Sequence, residues 1–265
     1  MKSRWSFGVG IVAIFAALAI FGPVVAPYDP LAIDLRHAYE LPSADHWLGT
    51  SDNGVDILSV ILHGARLAGI VGTLVVGFSL LTGIVFGAWA GMSGRRVDQV
   101  VMGAADLVQA FPHLVLQIAI VAVIARPGVV HIVIALASTG WVLYARIARA
   151  QALQLREMEF VEAARALGMS NARVIGRHVI PNLLPPLTVQ ASAGFAAAII
   201  AESTLSFLGL GPGTGTSWGA MLNQGTGVLL RFPHVALVSV ATIGITVLGF
   251  NLAGDWLRDR LDPKA

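Results

Sequence analysis

The sequence predicts an all-α membrane protein with six transmembrane helices and both termini inside. Three observations lead there. Of 265 residues, 56% are hydrophobic and only 12% charged, with a mean hydropathy of +0.76, whereas a soluble domain carries about 25% charged residues. The apolar residues form blocks of about 20, the length that crosses a ~30 Å hydrocarbon core at ~1.5 Å per helical residue. Lysine and arginine also divide unevenly between alternate loops.

The predicted spans are roughly 7–26, 67–90, 102–125, 129–146, 183–208 and 235–254. Lys2 and Arg4 precede the first, as in a signal peptide, but the run is longer than a secretory apolar core, and Pro27 follows Val25-Ala26. The expectation is an uncleaved helix. Glycine and alanine recur in every span, as where membrane helices pack closely, and Gly87 and Gly91 make one small-residue pair of that kind. With the N-terminus inside, the outer segments hold Arg36, Arg66, Arg126 and Arg231, and the inner ones hold the other 13 of the 17 Lys and Arg residues. The positive-inside rule then places segment 147–182 in the cytoplasm. Residues 1–66 read as the first helix plus an external segment, and 67–265 as a five-helix core carrying the cytoplasmic loop.

Several function classes drop out. There is no cysteine, so there is no disulfide or thiolate chemistry. The only lysines are Lys2 and Lys264, so the chain lacks the lysine of a phosphate-binding P-loop. The glycine-rich stretch Gly209–Gly219 reads as an external turn or re-entrant loop for the same reason. The pI near 9.4 reflects topology, not nucleic-acid binding. The seven histidines make no HExxH or tight ligand set, and no metal site is expected.

The most informative segment is 159–182. Phe160, Ala163, Ala164 and Leu167 share helical spacing, with Glu159, Glu162 and Arg165 beside them. Gly168 suits a left-handed helix end. Ser170 would then cap a second helix through its hydroxyl, ending near Pro181. The unit is either a docking element for another protein or an inert loop folded back on the bundle. Asp106 and Glu202, acids within spans, are expected to face a pathway or a structural partner, with Arg95 or Arg96 as candidates for Asp106. Asn251 and Asp255 read as hydrogen-bonding or capping groups near the inner mouth.

Glu162-Ala163-Ala164, three residues, Gly168, nine residues and His178-Val179-Ile180-Pro181 resemble the EAA motif of ABC importer permeases. The ending His178-x-x-Pro181-Asn182 is similar to that of the dipeptide, oligopeptide and nickel permeases. Further resemblance lies in His46-Trp47-Leu48-Gly49-Thr50, Arg95–Asp98, Phe111-Pro112, Leu205–Gly211, Ser217-Trp218-Gly219 and Phe250-Asn251-Leu252 through Leu261-Asp262-Pro263. It covers nearly the whole chain and is greatest to the "C" permease. Val55 and Val60 stand where that family usually has arginines.

The resemblance implies a type I ABC importer (MetI-like) permease fold in a bacterial or archaeal plasma membrane. It implies a second permease, two ATPase subunits that bind ATP and Mg, and an extracytoplasmic binding protein as partners. The chain itself would hold no cofactor and no catalytic residue. Glu159, Phe160, Glu162, Ala163, Ala164, Leu167, Gly168, His178, Pro181 and Asn182 would meet an ATPase. Two other classes compete. An intramembrane enzyme would need a nucleophile and base, yet none of the serines lies in a Gly-x-Ser-x-Gly elbow. A secondary transporter or channel would predict an internal repeat and leave segment 159–182 unexplained.

Overall fold

Ten helices follow one another in the computed structural model, which describes residues 2–213 and 216–261. Thr214-Gly215 of the glycine-rich loop, Asp262-Pro263 and Lys264 lie outside the described residues, as do the side chains of residues 2–6. Helix α1 (Lys2–Val25) is the first span. Much of its apolar surface, including Ile14, Ile20 and Phe21, remains exposed for contact with lipid.

The external segment folds without long helices. Its two short turns, Leu35–His37 and Asp52–Gly54, are linked by Asp34 N–H donating to Asn53 O at 2.8 Å, and an antiparallel bridge between Thr50 and Asp56 closes the second. Asp56 closes the segment. Its Oδ2 accepts from Ser59 N and Ser59 Oγ, both at 2.7 Å, and its Oδ1 pairs with His46 Nδ1 at 3.0 Å. That carboxylate caps α2 (Ile57–Met92). The second span, expected over 67–90, is therefore part of one helix of 36 residues that starts at Ile57. At ~1.5 Å per residue it reaches about 54 Å, so its ends project beyond the ~30 Å core. Residues 66 and 67 both lie inside it, and no break in the chain marks the division drawn there.

The third span is not straight. Helices α3 (Arg95–Gln109) and α4 (His113–Ala122) meet at an 80° bend. The cause is local, because Pro112 has no N–H to donate and keeps Phe111 out of helical geometry. Counted by length and hydropathy, five helices can cross a membrane, or six if the bent pair is one span. The other three are α5 (Val129–Arg156), α8 (Ile180–Phe207) with the residues that lead into it, and α10 (Pro233–Leu261). Between them lie α6 (Glu159–Ala166), α7 (Asn171–Val174) and α9 (Trp218–Gly227).

Helices α2 and α5 pack along much of their length, and glycine permits it. A Cβ at Gly87 would collide with the Ala145 carbonyl oxygen, and one at Gly91 would lie 2.7 Å from Ala152 Cβ. The backbones approach closely, as small-residue helix faces allow. Three buried clusters divide the interior. One joins Phe15, Phe250 and Trp218 near the external side, where Phe195 and Phe250 stack at 4.2 Å. A second joins Val161 and Ala164 of α6 to Ala148 and Ala152 of α5 and to Leu183 and Leu187 of α8. A third lies among α2, α4, α5 and α8.

Candidate functional site

Helix α6 buries one side of its apolar stripe and exposes the other. Val161 and Ala164 are buried in the second cluster, while Phe160, Ala163 and Leu167 point outward, Leu167 at 85% exposure. At 100° per residue these five lie within one arc of about 160°, and the bundle covers only its Val161 and Ala164 side. The inward pair fixes α6 to the bundle and leaves the outward three free. Glu159 and Glu162 are exposed beside them, and neither has an ion-pair partner among the described residues.

Gly168, at φ +81°, takes the left-handed position that ends α6. Its N–H donates to Arg165 O at 2.9 Å, and Met169 N–H donates to Ala164 O at 3.1 Å. This double closure satisfies carbonyls that would otherwise be orphaned. Ser170 does occupy the next cap position, but its hydroxyl makes no capping bond. Asn171 anchors the turn instead, its Nδ2 donating to Met92 O and Ser93 Oγ, each at 3.4 Å.

The second helix does not end near Pro181. From α7 the chain widens into a π-helical stretch, Ile175–Val179, and runs on into α8. Ile180 N–H reaches back five residues to Ile175 O. Wider winding accommodates Pro181, whose ring would press on the carbonyl four residues earlier in an ordinary turn. Asn182 Nδ2 donates to His178 O at 2.7 Å, and the rings of His178 and Phe160 lie 6.2 Å apart. Phe160, His178 and Asn182 are thus brought together at the junction of α6 and α8.

Two ion pairs bind α3 to α5. Arg149 holds both oxygens of Asp98, with Nη2–Oδ2 at 2.6 Å, and Arg146 Nη2 meets Asp106 Oδ1 at 2.6 Å. The partner expected for Asp106 was Arg95 or Arg96. Those residues share its helix, but Arg95 is eleven positions away, about 16 Å along the axis. Glu202 also has a structural setting. It is buried, and its Oε1 accepts from Ser206 Oγ at 2.7 Å and Ser217 Oγ at 2.9 Å. Ser217 caps α9 by accepting from Gly219 N–H, and the buried Trp218 donates to Ile61 O. Glu202 therefore fastens the glycine-rich loop to α8. Asn251 is exposed and donates to Val247 O of its own helix, and Asp255 is exposed.

None of the four acids and amides singled out in the spans lines the cavity at the centre of the third buried cluster's helices. That space, about 620 Å³, opens between α2, α4, α5 and α8. Its polar groups are the amides of Gln109, Gln117 and Gln190, the His113 ring and the hydroxyls of Ser79, Thr139, Tyr144 and Thr204. Among the described residues, no Asp, Glu, Lys or Arg lines it. Gln117 Nε2 donates to Thr139 Oγ1 at 2.8 Å. Ser79 Oγ and Tyr144 Oη are buried without a partner among the described residues, at a cost of about 1–3 kcal/mol each. Sequence reasoning missed these groups because it sought charges in apolar spans. Glutamines at 109, 117 and 190 were the available signal.

Long apolar helices around a cavity, with α6 exposed at one end, define an integral membrane protein. The family described as "Binding-protein-dependent transport system inner membrane component" matches residues 83–265, and the chain belongs to it. The "N-terminal TM domain of oligopeptide transport permease C" matches residues 6–42. The chain is 38% identical to the oligopeptide transport system permease protein OppC of Bacillus subtilis, over 97% of this chain and 84% of that one. It is 40% identical to the dipeptide permease DppC of Alkalihalophilus pseudofirmus over the same shares. It is 37% identical to the nickel permease NikC of Escherichia coli, over 99% of this chain and 96% of that one. A solved inward-facing MetNI methionine ABC transporter aligns with a TM-score of 0.63 at 15% identity, over 77% of this chain and 96% of the other. At that identity the likeness concerns the fold. The protein is an inner-membrane permease component, not an enzyme.

Proposed function

We propose that this chain forms half of the translocation path of an ATP-driven importer for dipeptides or oligopeptides. A second permease completes the path, and an extracytoplasmic binding protein delivers cargo. Two ATPase subunits hold ATP and Mg, since this chain has neither the lysine nor the loop for them. The observation that carries the reading is α6. It is held inward by Val161 and Ala164 and presents Phe160, Ala163, Leu167, Glu159 and Glu162 to the cytoplasm. A helix fastened on one face and free on the other can transmit a rigid-body push. Its buried face shares a cluster with Tyr144, which lines the cavity. ATP acts by favouring one of two arrangements of this assembly.

Peptide cargo is favoured by the names of the relatives, most of which concern peptides. A nickel chelate is the related alternative, through the nickel permease. The test is ATP-dependent uptake in vesicles holding this chain, a second permease, two ATPases and a binding protein. Gly168→Trp abolishes uptake while membrane insertion stays normal. A Cβ at 168 meets nothing within the chain, but φ there is +81°, so the variant strains the turn that ends α6 as well as adding bulk to its exposed side. Wild-type uptake from this variant would remove the coupling role.

A further inference from the structure

We propose that the cavity between α2, α4, α5 and α8 reads the peptide backbone of its cargo through uncharged hydroxyl and amide groups, and is therefore indifferent to side-chain charge. This rests on the permease reading above and adds how the path treats its cargo.

The first support is what lines the space. At about 620 Å³ it has the size of a small-molecule site, mostly apolar with a few placed polar groups. It lies amid long apolar helices, where the effective dielectric is low. A fixed charge there would act strongly on any charged cargo, holding one sign and rejecting the other. A path for peptides of mixed charge must do neither. The lining meets that condition, offering amides and hydroxyls without Asp, Glu, Lys or Arg. Gln109 and Gln190 are without hydrogen-bond partners among the described residues, and Gln117 uses its Nε2 on Thr139. Amides of this kind donate and accept, matching the N–H and C=O of a peptide bond.

The second support is independent. Ser79 and Tyr144 are 1% and 3% exposed, yet their hydroxyls have no partner among the described residues. Native folds leave few such atoms, and here two border one cavity. Glycines accommodate both. A Cβ at Gly140 would lie 2.6 Å from Ser79 Oγ, and one at Gly194 would collide with Tyr144 Oη. Each hydroxyl is thus lodged against a backbone where a slight shift of α5 or α8 would expose it to an occupant. Tyr144 also belongs to the cluster that holds α6, so movement of the handle reaches this hydroxyl directly.

The experiment uses the complete transporter in vesicles, with saturating binding protein loaded in turn with alanyl-alanine, alanyl-glutamate or alanyl-lysine. Wild type moves all three at maximal rates within about threefold of one another, a spread below the energy of one hydrogen bond. Gln190→Glu slows alanyl-glutamate relative to alanyl-lysine by about tenfold, and Gln190→Lys reverses the order. Gln109→Glu, at an exposed lining position, gives the same readout if the Gln190 variants do not assemble. Tyr144→Phe slows all three by about fivefold. Equal slowing of the three peptides by both Glu variants would overturn the proposal, as would wild-type discrimination by charge above about tenfold. An unchanged rate in Tyr144→Phe would remove Tyr144 from it. If the wild-type assembly moved no peptide but did move another cargo, the peptide reading itself would fail.

Discussion

Helix α6 and the mid-membrane cavity solve opposite problems with the same neighbours. Helix α6 turns Val161 and Ala164 inward and leaves Phe160, Ala163 and Leu167 in solvent. The cavity holds several hydroxyls, two of them buried without partners among the described residues, and glycines lie against those two. The first, the proposed handle, is built from consecutive residues and exposed along its outer side. The second is a compartment assembled from four helices, its described lining without Asp, Glu, Lys or Arg. Tyr144 belongs to both, packed in the cluster under α6 and lining the cavity. Under the proposed function, one chain separates the place where force enters from the place where cargo passes.

The strongest way to break that separation is Val161→Asp. Val161 is fully buried, and an unpaired carboxylate there costs about 3 kcal/mol or more. The expected result is loss of ATP-driven uptake together with a clear fall in the thermal midpoint of the purified assembly. Uptake that persisted would mean the inward face of α6 is not its anchor.

Glu202→Leu acts on the external side. It leaves the hydroxyls of Ser206 and Ser217 without their shared acceptor, at about 1–3 kcal/mol each. Faster proteolysis within the glycine-rich loop is expected, with labelling of an introduced cysteine on α6 unchanged. A loop no more sensitive than wild type would show that Glu202 does not fasten it.

A smaller effect should follow Arg149→Ala. The Asp98–Arg149 pair is a quarter to a third exposed, so its loss costs about 1 kcal/mol. A double-mutant cycle with Asp98→Ala on thermal midpoints should return most of that as coupling. Additive losses would mean that the pair does not hold α3 to α5.

The smallest effect concerns pH at the exposed Asp34–His37 contact, 2.8 Å long. His37's hydrogen bond, then that from the Arg36 amide, hold Asp34 below its ordinary 3.8. Asp34 holds His37 above its ordinary 6.5. The Asp34 contribution is present above pH 3.8 and fades as pH falls through its depressed value, whereas the His37 contribution is present below pH 6.5 and fades as pH rises through its raised value. An NMR titration of His37 should therefore have its midpoint above 6.5, and Asp34→Asn should return it to the ordinary range. A midpoint that stayed high in the variant would place the cause elsewhere.

Much of the handle was legible because its determinants are local. Gly168 follows its helix immediately, and Glu162-Ala163-Ala164 needs only helical spacing to be read. What failed there depended on surroundings. The inward turn of Val161 follows from a cluster drawn from α2, α5 and α8, and the π-helical passage joins α7 to α8 where Pro181 seemed to end a helix. The 80° bend before Pro112 had a visible cause, but the apolar run hid it. Pathway acids were sought in Asp106 and Glu202, and both found partners within the chain, through Arg146 and through two serines.

Sequence alone determined the membrane class, the positions of the apolar spans, the location of the handle and the absence of an internal ATPase. Length, hydropathy and arginine placement act along the chain and need no knowledge of what packs against what. Tertiary structure decided which face of α6 is free, which residue each acid pairs with and which polar groups share the cavity. Those outcomes depend on helix rotation and crossing, and so on side chains far apart in sequence. Ser79, Gln117, Tyr144 and Gln190 meet only because α2, α4, α5 and α8 close around one space.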